Sequence, residues 1–503
     1  MSFRQVLMMI LLGGCLRASA QGGFIVHFND LQAGRSGAGI SVREVPDGYL
    51  AFCHQYSHDG TGKLHVFTRR LDQEGTVQGE LEYTYGDNRH YDIGYIDALA
   101  DGNDGSFLAS VPEGWGYGDT TFIYRFDASG NRIFRLPFLV YPAEDSVNRA
   151  IRQSRATMDD GYVLGGFWQQ PGDVQAFLIR LNAQCDTLWT RRIGLASQNE
   201  VILGLDQYTD GGFVLTGYRQ ATSIFNSSFL IRTDANGNPI WTRYYGGYAT
   251  QNGSVKVTAD GGIVTWSNYR EPSWPSEYSQ VMLTKWNAVG DIVWQKESHY
   301  GFNVGARDFE VLPDGSFIGV AFSAAAGLNG MLCKFSPQGD SLWTRGYQVA
   351  HGPHYLNDVT LTSDGGFVCT GEANRMMPID APNFQQSQTI YVVKTDSLGC
   401  VVPGCHTVGV QEYALDMNQY LSIAPNPVAA GQPLRIRFEP PPTFTPNGPL
   451  RVVLLDATGR RVHEEQMRGT TCNLAASNLA TGLHYLHLTD GTRWLAGAKV
   501  VVE

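Results

Sequence analysis

Apolar runs parted by polar, glycine-containing turns recur along most of the chain. The clearest unit spans Val201–Gly247 and holds four runs, Val201–Tyr208, Phe213–Tyr218, Ser228–Asp234 and Pro239–Tyr245. Each is rich in β-branched and aromatic residues, which predicts four short strands. Asp210-Gly211-Gly212 and Ala235-Asn236-Gly237-Asn238 read as tight hairpin turns. One four-stranded sheet cannot bury both of its faces alone, so it needs neighbours of its own kind.

The neighbours are present. The large apolar residue after the first turn recurs as Tyr49, Phe107, Tyr162, Phe213, Ile263, Phe317 and Phe367, with successive differences of 58, 55, 51, 50, 54 and 50 residues. The second turn recurs as Asp127-Ala128-Ser129-Gly130, Asp234–Gly237, Asn287–Gly290 and Ser336–Gly339. An aromatic follows four residues later, at Phe134, Trp241, Trp294 and Trp343. The third repeat keeps Trp189 but puts Cys185 at the glycine position. The first and last repeats keep Gly75 and Gly399, with Gly79 and Pro403 in place of the aromatic. Seven such units predict an all-β fold, a seven-bladed β-propeller, since an open stack would leave two bare edges.

The lone strand Gly23–Phe28 has no hairpin partner, and the seventh repeat lacks a fourth strand. Phe24–His27 is therefore expected to pair with the third strand of that repeat, Thr389–Lys394, closing the ring. Before it, Arg4, the apolar Val6–Leu12 and Ala18-Ser19-Ala20 read as a signal peptide over 1–20, cut between Ala20 and Gln21. Leu12-Gly13-Gly14-Cys15 offers a competing lipoprotein-type processing site. The propeller is expected over 21–405, a linker over 406–420 and a small β-sandwich over 421–503.

Composition narrows the functions. The net charge of −11 over 503 residues, with no basic stripe, excludes a phosphate-backbone binder, so no nucleic acid is expected. No run of eighteen apolar residues predicts a transmembrane segment. Of eight cysteines, Cys400 and Cys405 flank a Pro403-Gly404 turn and are the expected disulfide. Cys53, Cys333 and Cys369 read as buried thiols in strands, and the pairing of Cys185 and Cys472 stays open.

The last eighty or so residues carry a specific pattern. Pro425-Asn426-Pro427 is followed by Asp456–Gly459-Arg460, by Gly482 with Tyr485, by Asp490-Gly491 and by Lys499-Val500-Val501-Val502. This layout resembles the type A C-terminal sorting domain of the type IX secretion system of Bacteroidota. It departs in a longer Pro440–Pro449 segment and in a Gly482-to-Tyr485 spacing one residue longer than usual. The resemblance implies export to the periplasm and then passage through the outer membrane, with that secretion machinery as partner. The domain is commonly clipped and the cargo released or attached at the surface. The repeats resemble those of many uncharacterised cargo proteins of the same system, a likeness of architecture only. Their D-x-x-G-x-x-x-W pattern also resembles the blade-packing signature of quinoprotein dehydrogenases. That signature does not itself bind the quinone, and no cofactor is expected here. Asp186-Thr187-Leu188, Asp340-Ser341-Leu342 and Asp396-Ser397-Leu398 resemble O-glycosylation sites of Bacteroidota, and read equally as turn chemistry.

No zinc-protease, nucleophile-elbow or phosphate-loop motif is present. Asp234–Asn238 resembles the start of a calcium loop but lacks the downstream Glu, so no metal is expected. Strand alternation puts the two uniform turns on one face and the variable connections on the other. The variable loops include Val111–Thr120, Glu271–Gln280 and Glu372–Gln388, with Trp115, Tyr117, Trp274 and Tyr278 available for stacking. Three blade-to-blade connections carry His90-Tyr91, His299-Tyr300 and His354-Tyr355, followed by Asp97, Asp308 and Asp358. These are candidates to ring the mouth of a central channel, with packing between blades as the competing reading. Two function classes follow. One is an exported, monomeric binding or scaffold propeller for glycans or surface proteins. The other is a secreted polysaccharide- or peptide-degrading enzyme, which needs two carboxyls, or His with a carboxyl, converging in one cleft.

Overall fold

The computed structural model describes residues 23–28, 35–57, 64–82, 98–113, 120–140, 148–170, 173–194, 199–220, 226–245, 253–270, 279–298, 304–323, 330–349, 353–375, 387–405, 411–412, 417–441 and 444–503, apart from 476 and 478. Seven four-stranded antiparallel sheets precede one sheet of five strands and one of three. The first six blades take their strands in chain order. Blade 4 is representative, with Glu200–Gln207, Phe213–Gln220, Asn226–Thr233 and Pro239–Tyr245. Blade 7 takes His354–Leu361, Phe367–Arg375 and Ser387–Thr395, and Phe24–His27 completes it with Phe24 opposite Lys394.

Two local devices recur on the turn face. The acid that opens the first turn pairs with a basic residue ending the third strand of the same blade. Asp104–Arg125 spans 3.0 Å, Asp210–Arg232 2.5 Å, Asp260–Lys285 2.8 Å and Asp364–Lys394 2.8 Å. The second device is the aromatic after the second turn. Trp189, Trp241, Trp294 and Trp343 stand opposite Arg180, Arg232, Lys285 and Lys334. Each ring covers the turn glycine of the next blade. A Cβ built on Gly237, Gly290, Gly339 or Gly399 would lie 2.7, 3.0, 2.5 or 2.8 Å from it. Phe24 holds this register position in blade 7 and covers Gly75 of blade 1, at 2.6 Å by the same measure. The aromatic missing at Pro403 is thus supplied by the other end of the chain. Where blade 1 has Gly79, Leu50 covers Gly130 instead.

The two C-terminal sheets share one core of Val428, Leu434, Ile436, Val452, Leu454, Leu486 and Val500, among others. Met417 is fully buried in it and Tyr420 packs against it, so the sandwich begins inside the stretch expected to be linker. Gln411–Glu412 also adds a short parallel strand beside Arg493–Trp494. A Cys400–Cys405 disulfide (S–S 1.99 Å) closes the loop after blade 7. Both cysteines and Val402 pack with Val453, Leu455, Tyr485 and Trp494 of the C-terminal sheet. Cys53, Cys185, Cys333, Cys369 and Cys472 are free and buried.

Candidate functional site

The first strands of the blades lie against one another from blade 2 round to blade 1, and Arg43 bridges the remaining joint to Asp101. One level of this ring is polar. Arg43, Arg155, Asp206, Lys256, Glu310 and Thr360 each pair with the residue just after the large apolar residue of their own second strand. These groups join neighbouring blades. Arg43 donates to Asp101 (2.5 Å) on one side and to Asp358 (2.7 Å) and Thr360 (2.9 Å) on the other. Arg155 donates to the Leu205 carbonyl (3.1 Å), Asp206 accepts the Val257 N–H (2.7 Å), and Lys256 meets Glu310 (2.5 Å). Burial works against the charge on Glu310, yet Lys256 and Arg155 hold its pKa below the ordinary range. Burial likewise opposes the charge on Arg43, and Asp101 and Asp358 more than restore it.

Asp358 and Asp308 sit one step further toward the variable-loop face, on neighbouring blades. Asp358 is saturated: one carboxylate oxygen accepts from Ser41 Oγ (3.0 Å), Val42 N–H (2.9 Å) and Arg43 (2.7 Å). Asp308 falls in the bulge between Ala306 and Phe309. Burial drives its pKa up to about 7. Asp358 and Glu310 add to the rise, and Lys256 and Arg155 oppose it.

Beside Asp308, blades 6 and 7 meet through four more side chains. The Arg307 guanidinium lies over Phe322 at 5.3 Å. Phe322 meets Tyr355 edge-on at 4.8 Å, and Tyr355 stands directly opposite Glu372 in the blade 7 ladder. Burial raises the pKa of Glu372, with Arg307 pulling it back. Burial and Glu372 raise that of Tyr355, against the same Arg307. Arg307, Asp308, Tyr355 and Glu372 are half-buried, and among the described residues none of their side chains makes a hydrogen bond or ion pair. Arg307 Nε is a buried donor without an acceptor. The charged groups of the polar level itself bond across the blade joints, to a charge or to the backbone. This junction is the candidate site.

Of the residues singled out from sequence, His90, Tyr91, Asp97, Trp115, Tyr117, Trp274, His299 and Tyr300 lie outside the described residues, as do Ala20 and Gln21. Tyr355 lies at the junction, whereas Asp308 acts with Lys256, Asp358, Glu310 and Arg155 of the polar level. His354 is fully buried, accepts the Val349 N–H at Nε2 (3.1 Å) and sets its ring against Tyr391 at 5.6 Å. It packs the blade and offers nothing to a ligand. Asp358 likewise serves the joint between blades 7 and 1. Asp234 accepts Asn236 N–H, Asn238 N–H and Asn238 Nδ2 at 2.8–2.9 Å, the bonds of a turn. The three Asp-Ser/Thr-Leu triplets are exposed at their hydroxyl and leucine positions on the turn face.

The motif residues of the C-terminal sheets hold one another. Asn426, between Pro425 and Pro427, donates to the Lys499 carbonyl (2.8 Å) and accepts the Val501 N–H (2.9 Å). Asp456 accepts from Thr458 and from Arg460 N–H (3.1 Å) around Gly459, and those bonds hold its pKa down at about 2. Tyr485, three residues after Gly482, is buried against the disulfide loop.

Arg307, Glu372 and the polar level itself were not singled out from sequence. A signal existed: seven residues before the large apolar residue, Arg155, Asp206, Lys256, Glu310 and Thr360 form a polar column in otherwise apolar runs. Their signs alternate, so no one residue type recurs to mark it.

The fold and site define an all-β protein, a seven-bladed propeller followed by further C-terminal sheets. No family model matches the chain, and no curated protein matches it. Among solved structures it is similar to a protein of unknown function from Dyadobacter fermentans, at 9% identity and TM-score 0.38, over 59% of this chain and 93% of that one. It is also similar to a europium-containing methanol dehydrogenase, at 10% identity and TM-score 0.37, over 69% of this chain and 87% of that one. At these scores the likeness carries no argument about chemistry.

Proposed function

We propose that the protein is an exported binding module. In this reading the propeller recognises glycans or a surface protein through its variable-loop face, and the C-terminal sheets direct outer-membrane passage through the type IX machinery. The observation that carries it is the blade 6–7 junction. Inner-strand charges bond across the joints between blades, while Arg307, Tyr355 and Glu372 lie together there without a hydrogen bond or ion pair among the described residues, on the loop side. The mutual bonding of Asn426, Lys499 and Val501 is consistent with a C-terminal unit recognised as a folded whole. The test is thermal unfolding of the full chain with a panel of glycans, polysaccharides and peptides. A ligand at about one hundred times its Kd should add about 2.7 kcal/mol. An unchanged Tm with every member would sink the reading.

A second reading is favoured by one observation. A carboxyl at about 7 is what a general acid requires, and Asp308 is such a group. A polysaccharide- or peptide-cleaving activity abolished by Asp308→Asn would establish it. Cleavage by the variant at the parent rate would exclude Asp308 as that acid.

A further inference from the structure

We propose that the junction of blades 6 and 7 binds the carboxylate-bearing ring of an acidic sugar, with Arg307 taking the carboxylate and Tyr355 and Glu372 the neighbouring hydroxyls. This deepens the glycan-binding reading above and rests on it.

Three polar side chains at one joint, Arg307, Tyr355 and Glu372, that make no hydrogen bond or ion pair among the described residues are the starting point. In a folded chain such groups are paired unless something else is meant to meet them. Arg307 is the one cation among them, and its planar fork suits a carboxylate better than a hydroxyl does. Tyr355 can donate and accept. A carboxyl that keeps its proton also does both, which matches the two-way demand of sugar hydroxyls. Phe322, under Arg307, sets the Tyr355 ring edge-on, and that ring is the aromatic surface offered to the C–H face of a sugar. A peptide C-terminus shares the carboxylate but has no ring of hydroxyls to use Glu372 and Tyr355 together.

Charge sets the working range. Arg307 of blade 6 and Tyr355 and Glu372 of blade 7 act on one another at the site. Asp308, next to Arg307 in the chain, acts instead with Lys256, Asp358, Glu310 and Arg155 of the polar level. The balance at the site is then Arg307 against Glu372. With the acid protonated the site is cationic, and with it ionised the site has no net charge to hold an anion.

The test uses calorimetric titration of the full chain with a galacturonic acid trimer, a neutral galactose trimer and a short peptide with a free C-terminus. At pH 5.5 the acidic trimer should bind at least tenfold tighter than either other probe, and its affinity should fall at pH 8.5. Arg307→Gln should weaken it at least tenfold, about 1.4 kcal/mol. Tyr355→Phe keeps the ring against Phe322 and should weaken it less, with an unchanged Tm showing that the joint is intact. Equal binding of acidic and neutral trimers overturns the ligand class, and so does tighter binding of the peptide. Sugar binding that Arg307→Gln and Tyr355→Phe leave untouched overturns the site while the binding-module reading stands. No binding of either trimer overturns the inference, and the Tm panel then decides the wider reading separately.

Discussion

Asp308 and Asp358 occupy matching levels on neighbouring blades, yet one is free and the other accepts three hydrogen bonds. The difference is what stands next to them: blade 1 offers Ser41, an N–H and Arg43, whereas Asp308 accepts no hydrogen bond among the described residues and feels Lys256 and Arg155 only through their charge. Raising a carboxyl from 3.8 to about 7 means that the folded chain keeps a proton that the unfolded chain has released. By linkage, stability falls as pH rises from about 4 to about 7 and is flat above, at a cost on the order of a few kcal/mol. Asp308→Asn should flatten that slope and raise Tm at pH 8, with little change at pH 4. A variant whose Tm tracks the parent across the range would show that Asp308 is not so perturbed. Arg43→Met should cost about 3 kcal/mol, because it strands Asp101 and Asp358 together. Urea unfolding at pH 7 measures it, and a loss below about 1 kcal/mol would mean that the three-blade link is weak.

At the scale of the element, the repeat is held by an aromatic ring on the next blade's turn glycine. Gly211 and Gly237 have similar positive φ, +84° and +77°, so an added Cβ costs each about 1 kcal/mol of backbone strain. Only Gly237 also meets a ring, Trp189 at 2.7 Å, whereas Gly211 finds nothing nearer than Ala235 Cβ at 3.4 Å. Gly237→Ala should therefore destabilise by about 1–2 kcal/mol more than Gly211→Ala in matched denaturant titrations. Equal losses would mean that the ring gives way freely. This contact also explains what was legible. Most blades both offer a turn glycine and send an aromatic to the next blade's glycine, so one repeated contact prints the same letters each time, and the blades could be counted from sequence. The inner-strand charges answer to partners on the neighbouring blade, 54 residues away for Lys256 and Glu310 and 315 for Arg43 and Asp358 across the ring closure. Arg43 meets Asp358 and Lys256 meets Glu310, and a swapped sign serves as well. The candidate site was legible only in part, at Tyr355, with Asp308 on the adjoining polar level. Arg307 and Glu372 gain their meaning from lacking partners, which no spacing records.

For the whole molecule, the decisive joint is blade 7, where both ends of the propeller meet. Phe24 stands opposite Lys394 as Trp343 stands opposite Lys334, and its ring lies edge-on to Tyr49 of blade 1 at 5.5 Å. Phe28 N–H donates to the Ile390 carbonyl (3.0 Å), and Gly23 N–H donates to Val401 (2.7 Å), inside the disulfide loop that packs on the C-terminal sheet. Four residues of strand thus supply a blade's outer edge, one blade-to-blade aromatic and a tie to the C-terminal unit. Without them, Ser387–Thr395 becomes an open edge rich in apolar residues, the kind that recruits other strands. Phe24→Ala should cost about 2–4 kcal/mol. Removing residues 1–28 should cost more and produce soluble aggregates by light scattering. A synthetic peptide of residues 21–30 added to the shortened chain should restore the monomer by adding the missing strand. If the shortened chain stays monomeric with the parent Tm, ring closure does not depend on the N-terminal strand, and the seventh blade stands on three strands and its disulfide loop alone.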